Sequence, residues 1–192
     1  MTDVSPAVLD GVLARTTRRR TRVGLVSGGL GAYWPQFPGL LDQLQESARF
    51  VTGRFEEMGC EVADAGFISD PQEAAKAAEQ LRRADCDIVV MFLTTYLTAS
   101  MVLPIAQRTH TPVLVIDLQP TEAMDHPNTD TGKWLAYCGQ CPLPEVANVF
   151  RRSGTPSAPS PVICTTRTPG PGSAAGSRPR RCAARCATAG TG

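Results

Sequence analysis

The run Asp87-Ile88-Val89-Val90-Met91-Phe92-Leu93 constrains this chain more than any other segment. Its six consecutive apolar residues leave no polar face, so a strand built from them needs cover on both sides, as strands of parallel sheets have. The flanking sequence supplies that cover. Residues 22–27 read as a short buried strand ending in Gly28-Gly29, residues 60–67 as a second strand and residues 112–118 as a fourth. Between them, Leu40, Leu41, Leu44, Ala48, Val51, Phe55 and Met58 recur at three- and four-residue intervals, which predicts a long amphipathic helix stopped by Gly59. Residues 71–84, with Asp70 as N-cap, predict a second helix, and 100–108 and 144–152 two more; 6–14 reads as a short helix ahead of the first strand. Strands alternating with helices at this spacing define an α/β chain: a three-layer, flavodoxin-like or Rossmann-like parallel sheet with helices on both faces.

Composition sets the limits of that fold. From Thr155 to Gly192 there is no Leu, Phe, Tyr, Trp, Asp, Glu or Lys, so almost nothing is present to bury, and the stretch reads as a disordered tail rich in Arg, Pro, Gly and Ala. Its five arginines leave the preceding 154 residues with 14 Lys/Arg against 18 Asp/Glu, a net −4 that the total of +1 conceals. Residues 1–21, with the basic run Arg18-Arg19-Arg20, read as a flexible, solvated lead-in, and 22–154 as the folded body. An acidic body excludes nucleic acid as the expected partner, since such surfaces are basic. No apolar run is long enough to span a bilayer and residues 1–20 lack a signal peptide's apolar core, so the expectation is a cytoplasmic protein without membrane contact. Seven cysteines, an odd number, set among ordinary globular sequence argue for reduced thiols.

In parallel α/β sheets ligands gather beyond the carboxyl ends of the strands. There the first loop carries Ser27-Gly28-Gly29-Leu30-Gly31-Ala32-Tyr33-Trp34-Pro35-Gln36-Phe37-Pro38, the third Thr94-Thr95-Tyr96 and the fourth Gln119-Pro120-Thr121. Together they offer aromatic rings, hydroxyls and amides with little charge, a mixture suited to a polyol: neutral groups bond its hydroxyls and rings stack on its C–H faces. The same aromatics equally suit a cap over the sheet end. Gly28-Gly29-Leu30-Gly31 has neither the dinucleotide fingerprint nor the ending of a phosphate loop. Cys138-Gly139-Gln140-Cys141 has the spacing of half a zinc knuckle or of a thiol–disulfide centre. It has no second pair within finger spacing and does not follow the first strand, so neither role is expected. Asp125, His126 and Asp130 read as a solvated turn.

Taken in order, residues 31–39, 87–96, Leu118-Gln119-Pro120, Gly132-Lys133-Trp134-Leu135-Ala136 and 144–150 resemble the L-arabinose/L-fucose isomerase superfamily, nearest to its arabinose-isomerase-like bacterial branch. The resemblance covers roughly residues 22–154, the N-terminal domain. It implies carbohydrate metabolism: an aldose–ketose isomerase, an intramolecular oxidoreductase that uses manganese to polarise the sugar's C1 and C2 oxygens while carboxylates move the proton. The family's metal ligands lie in later domains, and its N-terminal domain makes homo-oligomer contacts and helps wall a neighbouring subunit's pocket. By motif position Tyr33 corresponds to a pocket-lining residue, with Trp34, Gln36, Tyr96 and Gln119 as further substrate-binding candidates; none is catalytic or a metal ligand.

The tail departs from the family. Residues 157–166 can be encoded so that a shifted frame reads Arg-Ser-Val-Thr-Gly-His-Leu-His-Asp, which is similar to the next family segment, and the same offset turns 177–190 into a helix-forming stretch. The expectation is therefore a truncated isomerase with a frameshifted tail, inactive alone and without bound cofactor. The alternative is a stand-alone flavodoxin-like domain that holds a small polar ligand such as a sugar.

Overall fold

The computed structural model describes residues 19–121, 123–155 and 162–163. The apolar run lies at the centre of the sheet. As β3 (Ile88–Leu93) it pairs in parallel with β1 (Arg22–Gly28) on one side and β4 (Val113–Asp117) on the other. β2 (Glu61–Ile68) joins in parallel beyond β1, giving the order β2-β1-β3-β4. A two-residue strand, β5 (Val162–Ile163), pairs in parallel with Ile116 and Asp117 at the far edge. Those two residues belong to the stretch read as a tail; edge pairing of this kind uses backbone N–H and C=O groups, which composition does not report. Residues 156–161 and 164–192 of the expected disordered tail, and the expected helix at 6–14, lie outside the described residues.

Successive side chains of β3 point to opposite faces, and each face has its own cover. Val89, Met91 and Leu93 pack with α2 (Pro71–Arg83), α3 (Ala99–Thr109) and α5 (Leu143–Arg152) through Ala74, Ala77, Ala78, Leu81, Met101, Val102, Ile105, Val146 and Phe150. Val90 and Phe92 face the other way, with Val23, Leu25 and Ile116, onto Val51, Ala48 and Phe55 of α1 (Leu40–Glu57). The flavodoxin-like three-layer arrangement is thus present, with α2, α3 and α5 on one face and the long α1 on the other among the described residues.

Helix ends follow the local chemistry. Asp70 caps α2, its carboxylate accepting from Gln72 N at 2.7 Å and Glu73 N at 2.8 Å, while Glu73 reaches back to Ser69 N at 2.7 Å. Gly59, at φ +84°, takes the left-handed conformation that turns the chain from α1 into β2. Arg19 of the basic lead-in is paired with Asp87 at 2.6 Å, and Asp87 also accepts from Arg22 N at 2.7 Å, which ties the lead-in to the amino ends of β1 and β3. Among the described residues no helix is long and apolar enough to cross a membrane.

Leu81 is fully buried between α2 and β1. Leu81→Ala is expected to lower unfolding free energy by about 2–5 kcal/mol, and Asp70→Ala by about 1 kcal/mol, in urea denaturation.

Candidate functional site

At the carboxyl end of the sheet, the loop after β1 is lashed down by its own backbone. Gly29 N donates to Ile68 O, Leu30 N to Tyr96 O and Gly31 N to Ser69 O, each at 3.0 Å. All three amides of this glycine-rich segment are therefore spent on protein carbonyls, which leaves no anion cradle of the phosphate-loop kind. A Cβ on Gly29 would overlap Thr95 and stand 2.9 Å from the Trp34 ring, so glycine is required by close approach. Two buried hydroxyls complete the lashing: Thr94 Oγ1 donates to Gly28 O at 2.9 Å and Thr95 Oγ1 to Leu135 O at 2.7 Å. The latter anchors α4 (Thr131–Leu135), a one-turn helix capped by Asp130, which accepts from Lys133 N at 2.8 Å.

Each candidate residue has a definite place. Tyr33 is half-buried and meets Trp34 and Phe37 edge to face, with ring centroids 6.4 and 6.2 Å apart. Burial first, and the neighbouring Cys138 and Cys141 thiols second, push its hydroxyl pKa up. Trp34 turns towards β2: its Nε1 donates to Ser69 Oγ at 3.0 Å and its ring tilts onto Phe67. Gln36 is exposed, folds back on its own turn to donate to Ala32 O at 2.6 Å, and lines a surface groove of about 510 Å³ with Phe37, Gln43 and Lys133. Tyr96 donates to Glu145 Oε2 at 3.2 Å, which raises its pKa. Gln119 donates to Asp117 Oδ2 at 2.9 Å and lines a smaller groove of about 190 Å³ with Gln43, Phe50, Phe92 and Pro120. Tyr33 and Tyr96 thus share one neighbourhood, close to Cys141; Trp34 is pinned at the β2 edge, and Gln36 and Gln119 line different grooves.

Sequence reasoning passed over two acids. Glu145, on α5, accepts from Ala99 N at 2.8 Å, so its carboxylate caps α3 from another helix while holding Tyr96. Asp117 ends β4, is only 3% exposed, and has its pKa pushed up to about 6 by burial, with the Gln119 hydrogen bond acting in the opposite direction. The signal available in the sequence was an acid closing an apolar strand. Gly139 fits against this carboxylate: a Cβ there would overlap Asp117 Oδ1 and Leu93 O. Cys138, buried in the same turn, has its thiol pushed up to about 12, first by burial and then by Cys141 and Asp117, and donates to Trp134 O at 3.6 Å.

Manganese takes several oxygen or imidazole donors at once. Among the described residues no three His, Cys, Asp or Glu side chains converge as a metal-ligand set, and Asp117 is bordered by a neutral amide and a protonated thiol. The described residues do not form a site for that ion.

Fold and site together define a flavodoxin-like α/β protein whose carboxyl-end loops present tyrosines, amides and one buried acid. No protein-family model matches the chain, and no curated protein matches it.

Because the folded-state pKa of Asp117 lies above its ordinary 3.8, the native state favours the protonated carboxyl. This contribution to stability is present in full below pH 4 and is lost as pH rises through about 6. Asp117→Asn is expected to remove that dependence, on the order of 3 kcal/mol between pH 4 and 7, in urea titrations at several pH values.

Proposed function

We propose that residues 22–154 are the α/β domain of an arabinose/fucose-isomerase-type enzyme, walling a sugar pocket while the metal and its chemistry belong to other domains. The observation that supports this reading is convergence. Of the five segments that carry the resemblance, spread over some 120 residues of sequence, four meet at the carboxyl end of the sheet, and the fifth, 118–120, follows β4 beside Phe92. Leu30 N bonds Tyr96 O, Thr95 bonds Leu135 O, Tyr96 bonds Glu145, and Tyr33, Trp34 and Phe37 pack with Leu135 and Ala136. Among the described residues no hydrogen bond engages the Tyr33 hydroxyl, so it is available to a sugar hydroxyl while its ring faces the C–H surface. Tyr96 and Gln119 are held in place by Glu145 and Asp117 and lend the wall its shape. The carboxylates and metal that move the isomerisation proton are not assigned to this domain.

The test is aldose-to-ketose turnover of L-arabinose and L-fucose with added manganese. It compares the 192-residue chain with a version whose tail is restored to the alternate frame and continued to that frame's stop. Turnover by the restored protein alone is the expected result. Turnover by the 192-residue chain would overturn the division of labour, and turnover by neither would overturn the isomerase reading. In the restored protein, Tyr33→Phe is expected to raise KM by up to about tenfold, one hydrogen bond's worth, with kcat little changed.

A further inference from the structure

Cys138 and Cys141 lie at the two ends of a single 3₁₀ turn, in which Cys141 N donates to Cys138 O at 3.1 Å. In a 3₁₀ turn side chains three residues apart eclipse and their Cα atoms stand about 6 Å apart. A disulfide spans about 4.4–6.8 Å between Cα atoms, so this backbone already holds the spacing it needs. Cys138 Sγ donates to Trp134 O at 3.6 Å, and Cys141 is near enough to add to the rise in its pKa. The turn is clamped from below: Gly139 sits against Leu93 O and Asp117 Oδ1 with no room for a side chain, and Thr95 fixes Leu135 just before it. The pair stands immediately before α5, so the position after the fourth strand still puts it at a helix start. Exposure divides the roles, since Cys141 is open to solvent and Cys138 is buried.

We propose that Cys138 and Cys141 are a redox-active dithiol that a small-molecule disulfide oxidises to an intramolecular disulfide. Cys141 loses its proton to water, and its sulfur attacks one sulfur of the oxidant; the S–S bond breaks and the departing thiolate takes a proton from water. Cys138 Sγ then attacks Cys141 Sγ and closes the ring, and the second thiolate of the oxidant leaves with the Cys138 proton. Two cysteine thiols are oxidised by two electrons and one disulfide is reduced to two thiols. Burial holds Cys138 protonated until that second step, which is why the exposed partner attacks first. This inference is independent of the isomerase reading.

The test equilibrates the full chain with excess oxidised glutathione, alkylates free thiols and maps tryptic peptides by mass spectrometry. Cleavage after Lys133 and Arg151 isolates both cysteines in one peptide. The expected result is an internal disulfide in that peptide, reopened by dithiothreitol. Cys141→Ser, an exposed substitution, is expected to leave Cys138 fully alkylatable under denaturing conditions, and Cys138→Ser to leave a glutathione adduct on Cys141 that does not resolve. Alkylation of both cysteines in the wild-type chain would overturn the proposal. So would bridges from either one to Cys60, Cys86 or the tail cysteines Cys164, Cys182 and Cys186.

Discussion

Burial of β3 on both faces is the constraint from which the rest of the structure follows. Val89, Met91 and Leu93 need one apolar layer, Val90 and Phe92 another, and neither can be left to water without forfeiting roughly 1.5–3 kcal/mol per side chain. α2, α3 and α5 answer the first demand and α1 the second. With both faces closed, only the strand ends stay open. The amino end is closed by the Arg19, Arg22 and Asp87 pairing, so variation in chemistry is confined to the carboxyl end.

That end is organised by tying down backbone rather than by offering it. The amides of Gly29, Leu30 and Gly31 all bond protein carbonyls, and Thr94 and Thr95 spend their hydroxyls in the same way. The Tyr33 ring and hydroxyl remain there as side-chain chemistry, while Tyr96 and Gln119 bond the protein's own Glu145 and Asp117. Asp117 lies beneath as a buried acid with a raised pKa, and the Cys138–Cys141 turn rests on it through Gly139. The Tyr33–Tyr96 neighbourhood and the thiol pair lie side by side because both hang on the carboxyl ends of the sheet.

The elements were legible wherever burial is periodic. The apolar spacing of α1, the Asp70 cap of α2, the stop at Gly59 and the unbroken hydrophobicity of β3 are local signals, and the observed bounds differ from the reading by a residue or two. α4 was not legible as a helix, since its five residues are fixed by the Asp130 cap and by Thr95 from the far side of the loop. β5 was not legible either, because its pairing depends on the free edge of β4 and not on its own composition. For the candidate site, residue types and strand-end positions were legible, but nothing local showed that Trp34 would bond Ser69, Gln36 its own turn, Tyr96 Glu145 or Gln119 Asp117.

By itself the sequence determined the α/β order, the doubly covered central strand, and the placing of aromatic and amide residues after β1, β3 and β4. Periodicity and capping act between residues only a few positions apart, so they can be read along the chain. Only the tertiary structure decided which polar groups are spent on the protein and which face outward, and that Asp117, Glu145 and the Cys138–Cys141 turn belong to one neighbourhood. Hydrogen bonds such as Tyr96 to Glu145, 49 residues apart, and Thr95 to Leu135, 40 apart, exist because the sheet brings strand ends together. Burial at such a meeting point raises the pKa of an acid, a property that no neighbour in sequence supplies.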